Sequence, residues 1–341
     1  MSGAPEPPPA GATPLPADSA SPPAGPSTDA TRPSRPWLRP ALRAGQAVLV
    51  VATAYFLIAY LARSWTSVKD YHWTLDYGWL ALSALAFLAF YLAQAAAWWL
   101  LLRGFGLQSP LSLAMATWAK SILARYMPGN VFMFVGRAWM SHAQGLPVDR
   151  VSAAMVYEQA LGICSALLTV AILFPFWKYH PGITALSLLA IPALIALLHP
   201  RIFGPVAAWV LRVLRRPPLD VTLRFGVVLA LLWYYVAAWL VTGMGAWLLA
   251  RAVTGLEVDA LPIVVVAYAL AYVVGMAAFV FPSGIGVREA VLTASLARQL
   301  PGGVALAWAL LLRLWVTAIE LVFVGLAVAA AAIVRRRKDS R

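Results

Sequence analysis

Long apolar runs, separated by short polar segments, fill the chain from residue 44 to residue 334. A helix of about 20 apolar residues is long enough to cross the hydrocarbon core of a bilayer. The runs that approach or exceed this length are 44–61, 77–102, 152–177, 182–198, 225–250, 260–281 and 304–334. The pattern predicts an all-α fold, a polytopic integral membrane helical bundle, and the topology argued next raises the expected number of spans to about eight.

Basic residues near the runs predict their orientation, because cytoplasmic loops are enriched in Lys and Arg. Such residues precede the first run, occupy the loop 199–224 and follow the last run: Arg32, Arg35, Arg39, Arg43; Arg201, Arg212, Arg215, Arg216, Arg224; and Arg335, Arg336, Arg337, Lys338. We therefore expect this loop and both termini to be cytoplasmic. Seven crossings that start in the cytoplasm would leave the C-terminus on the outer side, against its basic residues. We therefore place one further crossing at residues 287–300. Residues 111–143 should then enter and leave from the same side.

Residues 1–40 differ from the rest, since they hold about half of the 25 prolines together with much Ala, Ser and Gly. Such a segment buries too little apolar surface to offset its chain entropy, so we expect a disordered cytoplasmic tail. Residues 41–334 are the expected transmembrane domain, and residues 335–341 are a basic cytoplasmic tail.

Composition narrows the function classes. The chain is 62% hydrophobic and 11% charged, which leaves too few charged groups to cover a soluble globule. The net charge of +13 would suit nucleic acid in a soluble protein, but here it clusters between apolar runs and indicates topology and anionic lipid. For the same reason we expect no nucleic-acid partner. The single cysteine and the four scattered histidines predict no metal site, and the lack of nucleotide-binding glycine motifs predicts no cofactor.

Two segments interrupt the apolar pattern with Pro and Gly, and each continues to an arginine. The first contains Arg125, Pro128, Gly129 and Arg137, and the second contains Pro282, Ser283, Gly284, Gly286, Arg288 and Glu289. Non-helical backbone at membrane depth is tolerated where protein or a water-filled cavity covers it, and transporters aim such half-helices at anionic groups. We expect two broken or re-entrant segments; the alternative is a pair of tight turns at the membrane surface.

Ionisable side chains also lie inside the predicted spans, where a charge is costly and is a functional candidate: Glu158, Arg313 and Glu320. Arg313 and Glu320 are about 10 Å apart along a helix, so each is expected to pair with another helix. Together with the charged residues of the broken segments, these candidates carry a surplus positive charge. It suits an anionic headgroup, because the planar guanidinium matches phosphate oxygens. The alternative is a set of buried ion pairs that fix helix register.

With these motifs the chain resembles the lysylphosphatidylglycerol synthase transmembrane-region family over residues 40–334. The resemblance is carried by Tyr126-Met127-Pro128-Gly129, Gly136-Arg137, Val156-Tyr157-Glu158-Gln159 and Pro282-Ser283-Gly284-Ile285-Gly286-Val287-Arg288-Glu289. The last motif departs at Ser283, where the family often has Gly. The resemblance implies lipid handling or translocation. It implies no lysyl transfer, since the soluble aminoacyl-transferase domain of full-length synthases does not follow the last span.

We therefore expect a bacterial inner-membrane protein, not an enzyme, that binds or flips an anionic lipid in a cavity lined by both broken segments. A phosphatidylglycerol derivative or a polyprenyl-linked intermediate is the expected kind of lipid. A second interpretation is a membrane subunit that presents lipid to a separate glycosyl- or aminoacyl-transferase. A third is a small-solute transporter.

Overall fold

The computed structural model describes residues 3, 55, 58–124, 131–177, 181–213, 223–278, 284 and 286–339. The chain divides into two compact units, Met1–Leu42 and Arg43–Arg341, and the fold described below belongs to the second. The predicted tail over residues 1–40 lies outside the described residues except for Gly3. The same is true of most of the first predicted span, 44–61.

The described part of the chain is helical and contains no strand, which confirms the predicted all-α class. In chain order the helices are α1 Trp65–Lys69, α2 Tyr77–Gly104, α3 Leu111–Leu123, α4 Val131–His142, α5 Val148–Leu173, α6 Pro181–Leu197, α7 Pro200–Val213, α8 Phe225–Thr254, α9 Leu261–Ala277, α10 Val287–Leu296 and α11 Gly302–Asp339. Short 3₁₀ helices extend α5 over Phe174–Trp177 and precede α9 over Val258–Ala260.

Five helical stretches in the described ranges are long and apolar enough to cross a membrane. They are Tyr77–Gly104, Val148–Trp177, Phe225–Thr254, Val258–Ala277 and Gly302–Val334. The pair Thr184–Leu197 and Pro200–Trp209, bent by 75°, would add a sixth if it forms one span. The predicted total of about eight spans stays a prediction.

Helices α2 and α8 pack side by side in opposite directions and make the most extensive helix–helix contact among the described residues. Backbone hydrogen bonds join the residues before α2 to the last turn of α8, from Thr74 N–H to the Val253 carbonyl at 3.0 Å. At the opposite end, the last residue of α2, Gly104, lies against Leu223, which precedes α8. We call the end where α2 begins and α8 ends "end 1", and the end where α2 ends and α8 begins "end 2".

The helices α3 and α4 form a pair that opens at end 2. Ser109, just before α3, accepts a hydrogen bond of 3.0 Å from the indole of Trp99 in the last turns of α2. A short turn joins α4 to α5, and Arg150 in the first turn of α5 lies beside Gly106, just after α2. Residues 111–143 therefore enter and leave at the same end, as predicted.

The helices α9 and α10 form a second pair, and this one opens at end 1. Helix α9 follows α8 after a turn at Gly255, whose positive φ of 69° suits glycine. The turn that follows α10 leads to Gly303 in the first turn of α11, which lies against Ser64 and Val68, shortly before α2. The pair thus starts and finishes at end 1.

One predicted element needs correction. The crossing expected at residues 287–300 is the ten-residue helix α10, Val287–Leu296. Ten residues span about 15 Å, roughly half of the hydrocarbon core of a bilayer, so α10 does not cross alone. Because α9 and α10 return to the end from which they start, α11 still runs from end 1 towards end 2. The last helix therefore has the direction for which the extra crossing was introduced, although α10 does not provide that crossing.

Candidate functional site

A cavity of about 260 Å³ lies between the two broken pairs, and it is walled by side chains from both halves of the chain. Helices α4 and α10 face it from opposite ends of the bundle, and α2, α3, α5, α8, α9 and α11 close its sides. Its charged lining residues are Arg137, Glu158, Arg288, Glu289, Arg313 and Glu320. All six are candidates from the sequence.

Arg137 of α4 is tied to Glu158 of α5 by a buried ion pair between its Nη1 and the carboxylate Oε2. The second carboxylate oxygen accepts a hydrogen bond of 2.7 Å from the indole of Trp118. The Arg137 side chain is 1% exposed and that of Glu158 is 9% exposed. Both oxygens of this carboxylate are therefore engaged by protein groups.

The remaining groups of Arg137 are also enclosed. Its Nε donates to the Ser121 hydroxyl at 2.9 Å. Its guanidinium carbon lies 4.7 Å from the ring centroid of Trp98 and 5.9 Å from that of Trp118. Cation–π contacts of this kind strengthen when water is excluded. Arg137 is thus held by partners on α2, α3 and α5, although it also borders the cavity.

Glu289 connects the start of α10 to α11. Its Oε2 accepts a 2.6 Å hydrogen bond from the backbone N–H of Gly286, the residue that caps α10. Its Oε1 accepts a 2.5 Å bond from Nη1 of Arg313 on α11. Gly286 has a φ of 85°, a left-handed conformation that favours glycine. This pair is less enclosed than the first, because the Arg313 side chain is 29% exposed.

Arg288 borders the cavity at the point where Gly284 lies very close to Gly275 of α9. A Cβ on Gly275 would lie 2.7 Å from Cγ of Arg288, and one on Gly284 would lie 3.0 Å from Cα of Gly275. The guanidinium carbon of Arg288 is 5.7 Å from the ring centroid of Tyr268. No carboxylate in the described part of the chain lies within ion-pair distance of Arg288.

Glu320, in the middle of α11, is fully buried. Its Oε2 accepts a hydrogen bond of 2.8 Å from the hydroxyl of Tyr91 on α2. The ring of Tyr91 in turn stacks on Phe323 with centroids 5.5 Å apart. Arg313 and Glu320 therefore bond to other helices rather than to each other, as predicted from their separation along the helix.

The structure brings together the predicted site residues that it describes. Gly284 and the six charged residues line the cavity, and Gly286 is bonded to one of them, Glu289. The others lie outside the described residues: Arg125, Pro128, Gly129, Pro282 and Ser283. The predicted surplus of positive charge depended on Arg125. Arginines and glutamates are equal in number in the described lining, which is formally neutral if all are ionised.

Aromatic side chains form a large part of the cavity wall, and sequence reasoning missed them. The rings belong to Phe90, Tyr91, Trp118, Phe134, Tyr235, Trp239, Tyr268 and Tyr272, and two amides, Gln94 and Gln159, accompany them. Aromatic residues inside a span are ordinary packing residues, so only their convergence on one space distinguishes these. The uncharged polar residues Gln94 and Gln159 within otherwise apolar runs were the one signal that could have been used.

The cavity suits a small polar or charged group better than a metal. Among the described residues, no group of three or more His, Cys, Asp and Glu side chains could hold a metal ion. Arg288 supplies a planar guanidinium fork, which matches phosphate or carboxylate oxygens. The aromatic faces supply apolar surface and attract cations.

Comparison with known proteins bears on the whole of this region. The family model described as the lysylphosphatidylglycerol synthase TM region matches residues 45–325. The match includes every residue that lines the cavity. No curated protein matches the chain significantly.

Proposed function

The chain belongs to the lysylphosphatidylglycerol synthase transmembrane-region family, and on this premise we propose that it binds or flips an anionic lipid through the central cavity. The family and the long apolar helices make it a multi-pass membrane protein linked to lipid handling. In the proposal, the phosphate of the headgroup enters the cavity while the acyl chains remain in the bilayer. In the same proposal, the membrane is the inner membrane of a bacterium.

The observation that carries the proposal is the setting of Arg288. Its acidic neighbour in sequence, Glu289, is engaged by Arg313 and by the Gly286 N–H, so it does not neutralise Arg288. Among the described residues, Arg288 has no carboxylate partner. A guanidinium in this position at the edge of a cavity is complementary to a phosphate diester, which it can bind through two parallel N–H···O bonds. Arg137 is a weaker candidate for this role, because Glu158 already neutralises it.

The first test removes the charge of Arg288. We expect Arg288→Gln to fold normally and to retain phosphatidylglycerol about tenfold or more less tightly, since losing a charge-assisted hydrogen bond costs about 1.5–3 kcal/mol. Arg288→Lys should recover only part of the loss, because an ammonium cannot form the bidentate fork. The measurement is native mass spectrometry of the detergent-solubilised protein titrated with phosphatidylglycerol, with phosphatidylcholine as the lipid of no net charge.

Arg63→Gln is the matched control. It removes the same charge from an exposed position near end 1, outside the cavity lining. This variant should retain phosphatidylglycerol as the parent does. Unchanged retention in folded Arg288→Gln, or equal loss in both variants, would contradict a headgroup role for Arg288.

A further inference from the structure

The chain repeats one structural plan on either side of α6 and α7. Each half consists of a long helix, a broken pair of shorter helices and a second long helix. In the first half these are α2, the pair α3–α4, and α5. In the second half they are α8, the pair α9–α10, and α11. The elements correspond one to one, in the same order along the chain.

The two halves have opposite directions in the bundle. Helix α2 runs from end 1 to end 2, whereas α8 runs from end 2 to end 1. The pair α3–α4 opens at end 2, and the pair α9–α10 opens at end 1. Helix α5 starts near Gly106 at end 2, and α11 starts near Ser64 at end 1. Every element of one half is therefore inverted relative to its counterpart.

In each half, an ion pair joins the returning short helix to the long helix that follows it. In the first half, the returning helix α4 is joined to the next long helix by the pair Arg137–Glu158, with partners 21 residues apart. In the second half, the returning helix α10 is joined to the next long helix by Glu289–Arg313, with partners 24 residues apart. The basic and acidic partners have exchanged places, so alignment of the two halves by residue type would not match these positions.

The two ion pairs differ in how deeply their side chains are buried. The Arg137–Glu158 pair has 1% and 9% exposed side chains and is supported by hydrogen bonds from Trp118 and to Ser121. In the Glu289–Arg313 pair, the arginine is 29% exposed. Desolvated pairs with complete hydrogen bonding are costly to separate, and partly hydrated pairs are less so. The conformation seen here therefore holds α4 more firmly than α10.

We propose that the two halves are inverted copies of one unit, and that α4 and α10 open the shared cavity alternately to end 2 and to end 1. Arg137–Glu158 and Glu289–Arg313 are the latches that hold each helix in its closed position. They act as positioning residues for access, and Arg288 borders the same cavity. The inference deepens the proposed function because it uses the same cavity. It is nevertheless tested through access of a reagent, without any lipid assay.

The test places a single cysteine in the cavity and labels it from each side of the membrane. The background is Cys164→Ala, since Cys164 is the one cysteine of the chain. Met276→Cys on the cavity wall is the reporter. The probe is a membrane-impermeant methanethiosulfonate reagent, applied to proteoliposomes from outside or loaded inside. Orientation is controlled with a second sample carrying an exposed reporter, Glu257→Cys, at end 1.

Breaking one ion pair should change the labelling rate from end 1 and the labelling rate from end 2 in opposite directions. Glu289→Gln or Arg313→Gln should raise labelling of Cys at position 276 from end 1 and lower it from end 2, by about fivefold or more in their ratio. Glu158→Gln should shift the ratio the other way. Either single variant of the Arg137–Glu158 pair leaves a buried charge unpaired and is expected to be unstable. The test therefore includes two variants of the more exposed pair, and the direction of the change in these two is sufficient to test the proposal.

Other outcomes would overturn the proposal. If the folded Glu289→Gln and Arg313→Gln proteins label like the parent, α10 is not a gate. If variants of both latches raise labelling from the same side, or from both sides equally, the pairs only stabilise the bundle. Loss of phosphatidylglycerol binding in Arg288→Gln would be compatible with either result, so failure of this inference and failure of the lipid proposal are distinguishable.

Discussion

Arg137 and Arg288 have similar sequence surroundings, since each follows a Pro-Gly or Pro-Ser-Gly break, but their environments in the bundle are opposite. Arg137 bonds to Glu158 and Ser121 between two indole rings. Arg288 contacts the face of Tyr268 and borders the cavity. Whether such an arginine is neutralised by a carboxylate is therefore set by neighbours on other helices, and not by proximity to a break.

Neutralising Arg137 should destabilise the protein. Arg137→Gln leaves the buried Glu158 carboxylate without its cation, and breaking such a pair costs about 3–5 kcal/mol. Glu158→Gln in the same chain removes the orphaned charge and should restore much of the stability. The measurement is the free energy of unfolding, or the midpoint of thermal unfolding, in one detergent for both variants and the parent.

The stability of Arg137→Gln is to be compared with that of Arg313→Gln, which breaks the other ion pair. Its partner Glu289 keeps the hydrogen bond from Gly286, and Arg313 itself is 29% exposed, so the loss should be smaller than for Arg137→Gln. Equal stability of the parent and Arg137→Gln would show that the buried pair is not structural. A double variant no more stable than Arg137→Gln would show that the unpaired carboxylate is not the cause.

At the scale of helices, close backbone contacts decide how the long helices pack. A Cβ on Gly243 of α8 would lie 2.9 Å from the Cα of Val265 on α9. The corresponding crowding at Gly245 involves Phe87 of α2 at 3.2 Å. Small residues at such contacts let membrane helices approach closely, because dispersion contacts replace the hydrophobic effect between helices in lipid.

Gly243→Ala should push α8 and α9 apart and lower stability by about 1–3 kcal/mol, the usual cost of overpacking. Gly226→Ala in the same helix is the control, because a Cβ there meets nothing within 4 Å. The control should be neutral or slightly stabilising, since alanine favours helix over glycine. Thermal unfolding in detergent compares them, and equal effects of the two substitutions would refute close packing at Gly243.

At the scale of the whole molecule, the two broken pairs open at opposite ends, which makes a definite prediction for membrane topology. Gln108, before α3, is exposed at end 2, and Glu257, between α8 and α9, is exposed at end 1. The basic residues of 199–224 and of the C-terminus predict that end 2 faces the cytoplasm.

Single cysteines at these two positions, in the Cys164→Ala background, should label from opposite sides of the membrane. Glu257→Cys should react with an impermeant maleimide added to intact cells, and Gln108→Cys only after the membrane is opened. Reporter fusions at residues 30 and 341 should both read as cytoplasmic. Labelling of both cysteines from the same side would contradict the arrangement of ends, and a periplasmic C-terminal reporter would contradict the orientation.

The sequence alone determined the helical class, the location of most long helices and the charged residues that line the cavity. Helix formation in lipid depends on local hydropathy, because a run of apolar residues must satisfy its backbone hydrogen bonds within itself. The cost of burying charge in a span likewise made Glu158, Arg313 and Glu320 conspicuous without a fold. The sequence also predicted that residues 111–143 return to the side from which they start.

The tertiary structure decided what each of these charges does. The partners Arg137 and Glu158, or Glu289 and Arg313, lie on different helices, so their pairing depends on how those helices pack. The tertiary structure also showed that α10 is too short to cross alone. The sequence could not show this, because apolar residues beside a break do not reveal where a helix begins. The aromatic wall and the inverted order of the two halves exist only in three dimensions, because they arise from convergence and direction, which hydropathy along a chain does not encode.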